Sequence, residues 1–208
     1  MSASPQTRSD TVVLATRNKG KIAELRALLA GLGPQVVGLA EFPDIGEIPE
    51  TGTTFLENAR SKARAVCQAT GLVSLADDSG LCVDALDGAP GVYSARYSGE
   101  NATDAANNAK LLAALADVPE ARRTCRFVSV VVAVAPDGRE LAAEGLWEGR
   151  VTTSPAGQGG FGYDPLFFDP TAGLTAAELS PEAKNARSHR GKALANMVKG
   201  WAEFWGGK

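Results

Sequence analysis

The first third of the chain alternates between short β-branched runs and apolar residues at helical spacing. The run TVVLAT, residues 11–16, predicts a buried first strand, and QVVGLA, residues 35–40, predicts a second. Between them lies one apolar helical face, and Gly33-Pro34 is the expected end of that helix. The face consists of Ile22, Leu25, Leu28, Leu29 and Leu32.

A second helix is predicted after a polar loop with two prolines. Thr54 and Glu57 have the spacing of a capping box, and Gly71 is the expected end of the helix. Lys62 lies at the edge of the apolar face, where a fully solvated lysine is less expected. That face consists of Phe55, Ala59, Ala63 and Val66.

The rest of the chain favours longer strands and two further helices. GLVSLA, residues 71–76, predicts a third strand that ends at Asp77-Asp78, and residues 126–135 predict a fourth. Asp137-Gly138 indicates a tight hairpin turn into a strand over about residues 139–147. The predicted helices are one in TDAANNAKLLAALADVP, a short one capped by Ser180 with Pro181 first, and a final amphipathic one bearing Leu194, Met197, Val198, Trp201 and Trp205.

Early strand–helix alternation followed by a late antiparallel hairpin is typical of an α/β fold with a mixed sheet. The chain has 208 residues, no internal repeat and no long linker. We therefore expect one domain over residues 11–208, preceded by a polar, disordered tail at residues 1–10.

Composition excludes several classes of function. The net charge is −3, so nothing attracts the whole chain to nucleic acid or to an anionic membrane, and no apolar run has the length of a membrane span. Three scattered cysteines, Cys67, Cys82 and Cys125, are typical of buried thiols in the cytoplasm. The single histidine argues against zinc, and a carboxylate-bound metal would be Mg²⁺ or Mn²⁺.

The first candidate site is the strand-to-helix junction Ala15 to Lys21. A helix N-terminus with lysines beside it suits a phosphate, although the segment lacks the first glycine and the final Ser/Thr of a P-loop. The alternative is an ordinary helix start with solvated lysines. The candidate substrate-binding residues here are Thr16, Arg17, Asn18, Lys19, Gly20 and Lys21.

The second candidate site is Asp77-Asp78-Ser79-Gly80, whose flanks are apolar. Paired carboxylates can hold a divalent cation, or one can accept a proton from water while the other binds metal. The alternative is an ordinary Asp-Ser-Gly turn. Glu50, in an acidic loop, is a further oxygen donor if the fold brings it near Asp78, so Glu50, Asp77 and Asp78 are the candidate metal ligands.

Two later segments could bind a flat ligand. Phe161 stands between glycines and could present an open ring face, and Asp164 could accept a hydrogen bond from a ring N–H; the alternative is aromatic packing of a loop. Basic side chains beside the only histidine could read the edge of a base or hold phosphate. The candidate residues are Phe161, Gly162, Tyr163, Asp164, Lys184, His189 and Arg190.

Together, these motifs make the sequence similar to the inosine/xanthosine triphosphate pyrophosphatase family over about residues 11–200. The motifs, which occur in the family's order, are Thr16-x-Asn18-x-x-Lys21, Glu50-Thr51-Gly52-x-Thr54-Phe55-x-Glu57-Asn58-Ala59, Ala76-Asp77-Asp78-Ser79-Gly80-Leu81, Gly88-Ala89-Pro90-Gly91, Ser94-Ala95-Arg96-Tyr97, Phe161-Gly162-Tyr163-Asp164-Pro165 and Ser188-His189-Arg190-Gly191.

The resemblance implies an elongated mixed sheet in two lobes around a central cleft, a homodimer, and magnesium-dependent hydrolysis of ITP, dITP and XTP to monophosphate and pyrophosphate. It implies phosphate contacts from Thr16, Asn18, Lys21 and Lys62 and a substrate contact from Ser79. It implies that Asp78 binds metal and accepts the proton, with Glu50 as a second ligand. It places Phe161 against the base, surrounded by Asp164, Lys184, His189 and Arg190.

Two other functions remain open from sequence. A Maf-type nucleotide pyrophosphatase would share the chemistry but act on pyrimidine or modified bases, and the Phe161 and His189 motifs argue against it. A non-catalytic nucleotide-binding regulator would not need the carboxylates. The sequence does not say which residues reject guanine, which surface forms the dimer, or whether Asp77 touches metal.

Overall fold

The computed structural model describes residues 10–30 and 33–206, so the tail predicted at residues 1–10 lies outside the described residues except for its last one. The strands are β1 Thr11–Leu14, β2 Gln35–Gly38, β3 Val73–Val83, β4 Thr124–Val134, β5 Glu140–Val151, β6 Phe167–Asp169 and β7 Leu174–Thr175. The helices are α1 Lys19–Leu29, α2 Phe55–Thr70, α3 Asp104–Ala114, α4 Pro181–Arg187 and α5 His189–Gly206.

All seven strands form one open sheet, in the order β2-β1-β3-β4-β5-β6-β7. β1 pairs in parallel with β2 and with β3, whereas β3 to β7 pair antiparallel. This confirms the predicted mixed sheet with flanking helices. The sequence prediction omitted β6 and β7, because strands this short leave no clear alternating pattern within a loop rich in glycine.

The predicted end of β3 at the aspartates is wrong. β3 continues to Val83 and stays paired with β4 throughout, with Asp77 opposite Val131 and Asp78 opposite Val130. β1 is the strand that stops, since its last partner on β3 is Leu75. The aspartates therefore lie where one edge of β3 becomes free, in the middle of the strand.

Local sequence signals placed most helix boundaries correctly. Thr54 and Glu57 form the predicted capping box at the start of α2, and Gly71 follows its end in the left-handed conformation. Ser180 caps α4 with Pro181 in its first turn. Val198 was wrongly assigned to the apolar face of α5, because its side chain is 42% exposed. Leu32, assigned to the apolar face of α1, lies outside the described residues.

Helices cover both faces of the sheet and divide its core. On one face, α2 packs over Ala76, Val130 and Val132. On the other face, α1 and α5 pack over one end of the sheet, around Leu75 and Val131. α3 packs over the other end of that face in a separate apolar cluster, which includes the side chains of Leu81, Phe127 and Trp147.

Candidate active site

Asp77 and Asp78 point to opposite faces of the sheet because successive side chains of a strand alternate. Asp77 lies on the face covered by α1 and α5, between the two apolar clusters described above, and is 1% exposed. Asp78 lies on the face covered by α2 and is 5% exposed. The two carboxylates therefore belong to two different clusters of side chains.

The Asp77 carboxylate is surrounded by cations and hydroxyls. Lys21 Nζ lies 2.9 Å away and Arg190 Nε lies 3.1 Å away. Ser129 and Ser79 donate hydrogen bonds to it at 2.6 and 3.0 Å. Burial alone would raise the pKa of Asp77, but Lys21, Arg190 and these hydrogen bonds hold it well below its usual range.

The Asp78 carboxylate lies within a more open group of side chains. Lys62 Nζ is 2.7 Å from it, and Asn58 Nδ2 donates to it at 3.3 Å. The same ammonium contacts Glu50 at 2.8 Å, so Lys62 joins the two carboxylates. Burial raises the pKa of Asp78 despite Lys62, whereas Lys62 and Arg96 overcome the effect of burial at Glu50 and lower its pKa.

Two lysines from opposite faces of the sheet meet at the free edge of β3. Lys21 of α1 and Lys62 of α2 both approach the carbonyl oxygen of Asp77, at 3.4 and 3.2 Å. The nearby carboxylates raise the pKa of Lys62 against the effect of burial, so this amine stays protonated. Burial lowers the pKa of Lys21, and Asp77 opposes this effect. Two amines beside one carbonyl oxygen give a site that suits phosphate groups.

These lysines line a cavity of about 650 Å³. Its other polar side chains come from the junction before α1, from the Glu50 loop and from Arg96, and the full lining is Ala15, Thr16, Arg17, Asn18, Lys21, Leu39, Gly46, Glu47, Ile48, Glu50, Lys62, Ala95 and Arg96. The structure thus brings the first candidate segment together with Glu50 and Lys62.

The junction before α1 has local features that suit an anion. Asn18 caps the helix by accepting from Lys21 N at 3.1 Å, and Thr16 Oγ1 accepts from Asn18 N at 3.2 Å. No acidic residue stands in the first turn, so the positive end of the helix dipole is not neutralised locally. Lys19 is exposed at the first helical position, and Arg17 donates to the carbonyl of Ile45.

Phe161 lies directly over the start of α1. A Cβ atom added to Gly20 would be 2.6 Å from the Phe161 ring, so only glycine permits this contact. Lys184 Nζ lies 4.9 Å and Arg190 Cζ 5.2 Å from the ring centroid. Asp164 accepts from Phe161 N at 2.8 Å and forms an ion pair with Lys184.

The remaining aromatic and basic candidates, Tyr163 and His189, line a second cavity beside Phe161. Tyr163 is buried and its hydroxyl donates to the carbonyl of Ser94 at 2.9 Å. His189 stacks on Phe127, with ring centroids 4.7 Å apart. Burial and the neighbouring Arg190 hold the pKa of His189 well below its usual range, so its imidazole is neutral. Its buried Nδ1 has no hydrogen-bond partner among the residues described.

A smaller cavity of about 110 Å³ lies here and continues into the first one. It is lined by Phe161, Gly162, Tyr163, Asp164, His189 and Arg190, and it shares Asn18, Lys21 and Ala95 with the larger cavity. One continuous cleft therefore runs from the lysines and carboxylates to the aromatic residues.

Sequence reasoning missed three residues that organise the cleft. Glu24 of α1 binds both Lys184 and Arg190 at 2.8 Å, and nothing in its helical pattern distinguishes it from a solvated glutamate. Arg96 contacts the Glu50 carboxylate at 3.1 Å. Asn58 contacts both Asp78 and the backbone of Gly52. Arg96 and Asn58 lie inside recognised motifs, which was the available signal.

Of the three carboxylates predicted to bind a metal, Glu50 and Asp78 suit Mg²⁺ by their position and Asp77 does not. Mg²⁺ is usually held by one or two carboxylates together with substrate phosphates and water, and Glu50 and Asp78 form such a pair. Among residues 10–30 and 33–206, no group of three or more His, Cys, Asp or Glu side chains could hold a metal. Asp77 faces away from this pair, towards Lys21 and Arg190.

Comparison with known proteins agrees with this geometry. Residues 12–200 match the model of the Ham1 family. The chain is 59% identical to a dITP/XTP pyrophosphatase from Nitratidesulfovibrio vulgaris, covering 95% of this chain and 98% of that one. It is 56% identical to a dITP/XTP pyrophosphatase from Geobacter sulfurreducens, covering 91% and 96%.

Solved structures share the fold. A HAM1 protein from Coxiella burnetii superimposes with a TM-score of 0.84 at 45% identity, covering 93% of this chain and 98% of that one. A nucleoside-triphosphatase/dITP/XTP pyrophosphatase from Mycobacterium abscessus has a TM-score of 0.72 at 52% identity, covering 89% and 97%. These matches confirm the resemblance found in the sequence, and the chain belongs to the Ham1 family.

Proposed function

We propose that this protein hydrolyses dITP, ITP and XTP to the nucleoside monophosphate and pyrophosphate. The observation that carries the proposal is the convergence of Lys21 and Lys62 on the free edge of β3, beside the Asp78 and Glu50 carboxylates. Relatives more than half identical over nearly the whole chain are named dITP/XTP pyrophosphatases. The protein would remove deaminated purines before polymerases use them.

The triphosphate would lie in the larger cavity. The N-terminus of α1, with Thr16 and Asn18, would bind phosphate oxygens through hydrogen bonds, and Lys21 and Lys62 would neutralise their charge. Glu50 and Asp78 would hold Mg²⁺, or Mn²⁺ in its place. When bound, that ion neutralises phosphate charge and orients the substrate.

Asp78 would accept the proton of the attacking water. The water oxygen bonds to the α-phosphorus, the bond from this phosphorus to the bridging oxygen breaks, and the electron pair leaves with pyrophosphate. Burial raises the pKa of Asp78, which makes it a stronger proton acceptor than an exposed aspartate. Lys62, 2.7 Å from Asp78, holds this carboxylate in place and stabilises negative charge on the leaving group.

The purine would lie in the smaller part of the cleft. Phe161 would stack on the base, and donors from His189 and Arg190, which line this part of the cleft together with Asp164, would face its 6-oxo group. Lys184 lies beside the Phe161 ring. Adenine carries an amino group there and would leave buried donors unpaired, which can lower kcat/KM by orders of magnitude. Arg190 already binds Asp77, Glu24 and Ser79, so its guanidinium is fixed before substrate arrives.

Asp77 would then be a supporting residue rather than a metal ligand. Its carboxylate joins Lys21, which faces the phosphates, to Arg190, which faces the base. Because β3 is paired along its whole length, this connection is held on a rigid element. The two parts of the cleft are thereby kept in one orientation.

A pyrophosphate-release assay tests the proposal. Pyrophosphate is measured from ITP, XTP, dITP, GTP and ATP, each with and without Mg²⁺, and with Mn²⁺ as a second metal. We expect release from the first three with metal, and little from ATP. Equal rates on all five would contradict the proposed specificity. If none of the five releases pyrophosphate, the same assay with pyrimidine and modified-base triphosphates tests the Maf-type alternative, and calorimetry that detects ITP binding without release would identify a regulator.

The same proposal includes a homodimer in the cytoplasm, with residues 11–208 acting as one two-lobed domain. Cys67, Cys82 and Cys125 are all free thiols, which suits a reducing compartment. Among the described residues, no helix combines the length and the apolarity needed to cross a bilayer. Sedimentation of the purified chain tests the dimer.

A further inference from the structure

Both backbone polar groups of Gly162, in the loop that carries Phe161, are bound by side chains of α3. Asp104 Oδ2 accepts from Gly162 N at 2.7 Å, and Asn108 Nδ2 donates to Gly162 O at 2.9 Å. Asp104 and Asn108 are one helical turn apart, so they lie on the same face of α3. The Gly162 peptide groups are therefore fixed between two side chains of one helix.

The other side of the loop is held by Asp164, which accepts from Phe161 N at 2.8 Å. Gly162 has φ +62°, a conformation that glycine adopts without strain. The loop is thus fixed by hydrogen bonds on both sides of Phe161, one set from within the loop and one from α3. These bonds fix the backbone that carries the Phe161 ring beside Gly20.

α3 is itself firmly anchored, so it can serve as a rigid support. Leu111 and Leu115, at its C-terminal end, are fully buried. Asn107 is 4% exposed, accepts from Ser98 N at 2.7 Å and donates to the carbonyl of Ala95 at 3.2 Å. Because α3 is anchored in this way, the backbone positions of Asp104 and Asn108 are fixed, although the Asp104 side chain is exposed and that of Asn108 is half-buried.

We propose that Asp104 and Asn108 are positioning residues that hold Phe161 in its stacking position through the Gly162 peptide. The proposal rests on the proposed function, since it concerns recognition of the base. Asp104 also lines the smaller cavity, in which the base would lie, whereas Asn108 lines neither cavity. Neither side chain lines the larger cavity, so neither should affect the phosphates. The expected signature is a loss of affinity confined to the base.

Two ligands allow the two ends of the cleft to be tested separately. Calorimetry measures binding of inosine monophosphate, which carries the base, and of inorganic triphosphate, which does not. In Asp104→Ala and Asn108→Ala, the loss of one hydrogen bond should weaken inosine monophosphate about threefold to tenfold. Binding of inorganic triphosphate should stay within about twofold of wild type, and KM for ITP should rise more than kcat falls.

Conservative variants distinguish positioning from a general structural role. Asp104→Asn keeps an acceptor oxygen for Gly162 N and should restore most of the affinity. Asn108→Asp loses the donor and should behave like Asn108→Ala. Glu100→Ala, which removes an exposed carboxylate just before α3, is the matched control and should leave both ligands unaffected.

The proposal is overturned if both ligands weaken equally, if neither weakens, or if Asp104→Asn is as impaired as Asp104→Ala. Failure of the proposed function has a different result. In that case the wild-type chain would neither bind inosine monophosphate nor release pyrophosphate from ITP, and the positioning role would fall with it.

Discussion

Two neighbouring residues of identical chemistry, Asp77 and Asp78, have pKa values shifted in opposite directions. Burial acts on both. Two cations and two hydroxyls outweigh it at Asp77, whereas at Asp78 burial prevails over Lys62. A permanently ionised Asp77 suits an orienting role, and a more basic Asp78 suits proton transfer. The opposite shifts in pKa follow from the face of the sheet that each side chain occupies.

Asp78→Asn should remove most turnover while leaving nucleotide binding in place. The amide keeps the size of the side chain but accepts no proton, and general-base catalysis is typically worth about 10²–10⁴-fold in rate. Steady-state pyrophosphate release gives kcat, and calorimetry with ITP gives affinity. Asp117→Asn, at an exposed position, serves as the control; a kcat within tenfold of wild type for Asp78→Asn would contradict the role.

Lys62→Ala should lower kcat/KM by at least about tenfold, since a charge-assisted hydrogen bond contributes about 1.5–3 kcal/mol. It removes the cation that joins Asp78 and Glu50, and it leaves those carboxylates facing each other. The measurement is kcat/KM for ITP. Lys199→Ala removes an exposed lysine as a control, and unchanged kinetics in Lys62→Ala would mean that this lysine is only structural.

At this scale the sequence identified the residues but not their grouping. Asp77-Asp78 stood out because its flanks are apolar, yet adjacency suggested one shared site. The alternation of side chains along β3 places the two aspartates on opposite faces of the sheet. The sequence did not indicate this, because Asp-Ser-Gly is also typical of a turn. Glu24 could not be found, because its partners Lys184 and Arg190 are brought to it only by the folding of distant helices.

At the scale of elements, the N-terminus of α1 serves both parts of the cleft. Asn18 and Lys21 at this end line the larger cavity, and Gly20 lies against the Phe161 ring. Glycine in a helix is normally unfavourable, so its presence here reflects the contact with Phe161 rather than helix formation.

Gly20→Ala should therefore separate stability from activity. Helix propensity favours alanine by about 1 kcal/mol, but the added Cβ would be 2.6 Å from the Phe161 ring and displace it. We expect a higher KM for ITP with no loss in the free energy of unfolding, measured by urea denaturation. Gly20→Ala/Phe161→Leu removes part of the clash, and equal effects of Gly20→Ala in both backgrounds would show that the ring is not involved.

Secondary-structure elements were predicted better than the grouping of side chains in the cleft. Capping residues such as Thr54 and Ser180 act through local hydrogen bonds, so they can be read from a few residues. The extent of β3 could not, because its second half is held by β4, some fifty residues further along the chain. The pairing of β3 with β4, and not the local sequence, determines where β3 ends.

At the scale of the whole molecule, Asp169 provides a pH-dependent link between the sheet and α4. Its carboxylate accepts from Trp147 Nε1 at 2.9 Å and from Arg187 Nε at 2.8 Å. These hydrogen bonds, led by the one from Arg187, outweigh burial and lower the pKa of Asp169. A lowered folded-state pKa means that stabilisation is present above the unfolded pKa of about 4 and is lost as pH falls.

Asp169→Asn should lower the free energy of unfolding at pH 7 by about 1–3 kcal/mol, because hydrogen bonds to a charged group are replaced by neutral ones. The deficit should shrink as pH falls below about 4, because the unfolded wild-type chain takes up a proton at Asp169 there while the folded carboxylate stays ionised. Urea denaturation followed by circular dichroism at each pH measures this. A deficit that is constant across this range would show that the charge of Asp169 is not what stabilises the fold.

Because β3 is paired continuously with β4, the face of the sheet on which a side chain of β3 lies depends on whether its position is odd or even. Asp77 contacts Lys21 and Arg190 on one face of the sheet, and Asp78 contacts Lys62 on the other. Deleting one residue before Asp77 would shift the register by one, so that Asp78 would take the place of Asp77 and Ser79 would take the place of Asp78. Insertions and deletions within β3 change the face on which its side chains lie. They should therefore be far less tolerated than length changes in the loops on either side.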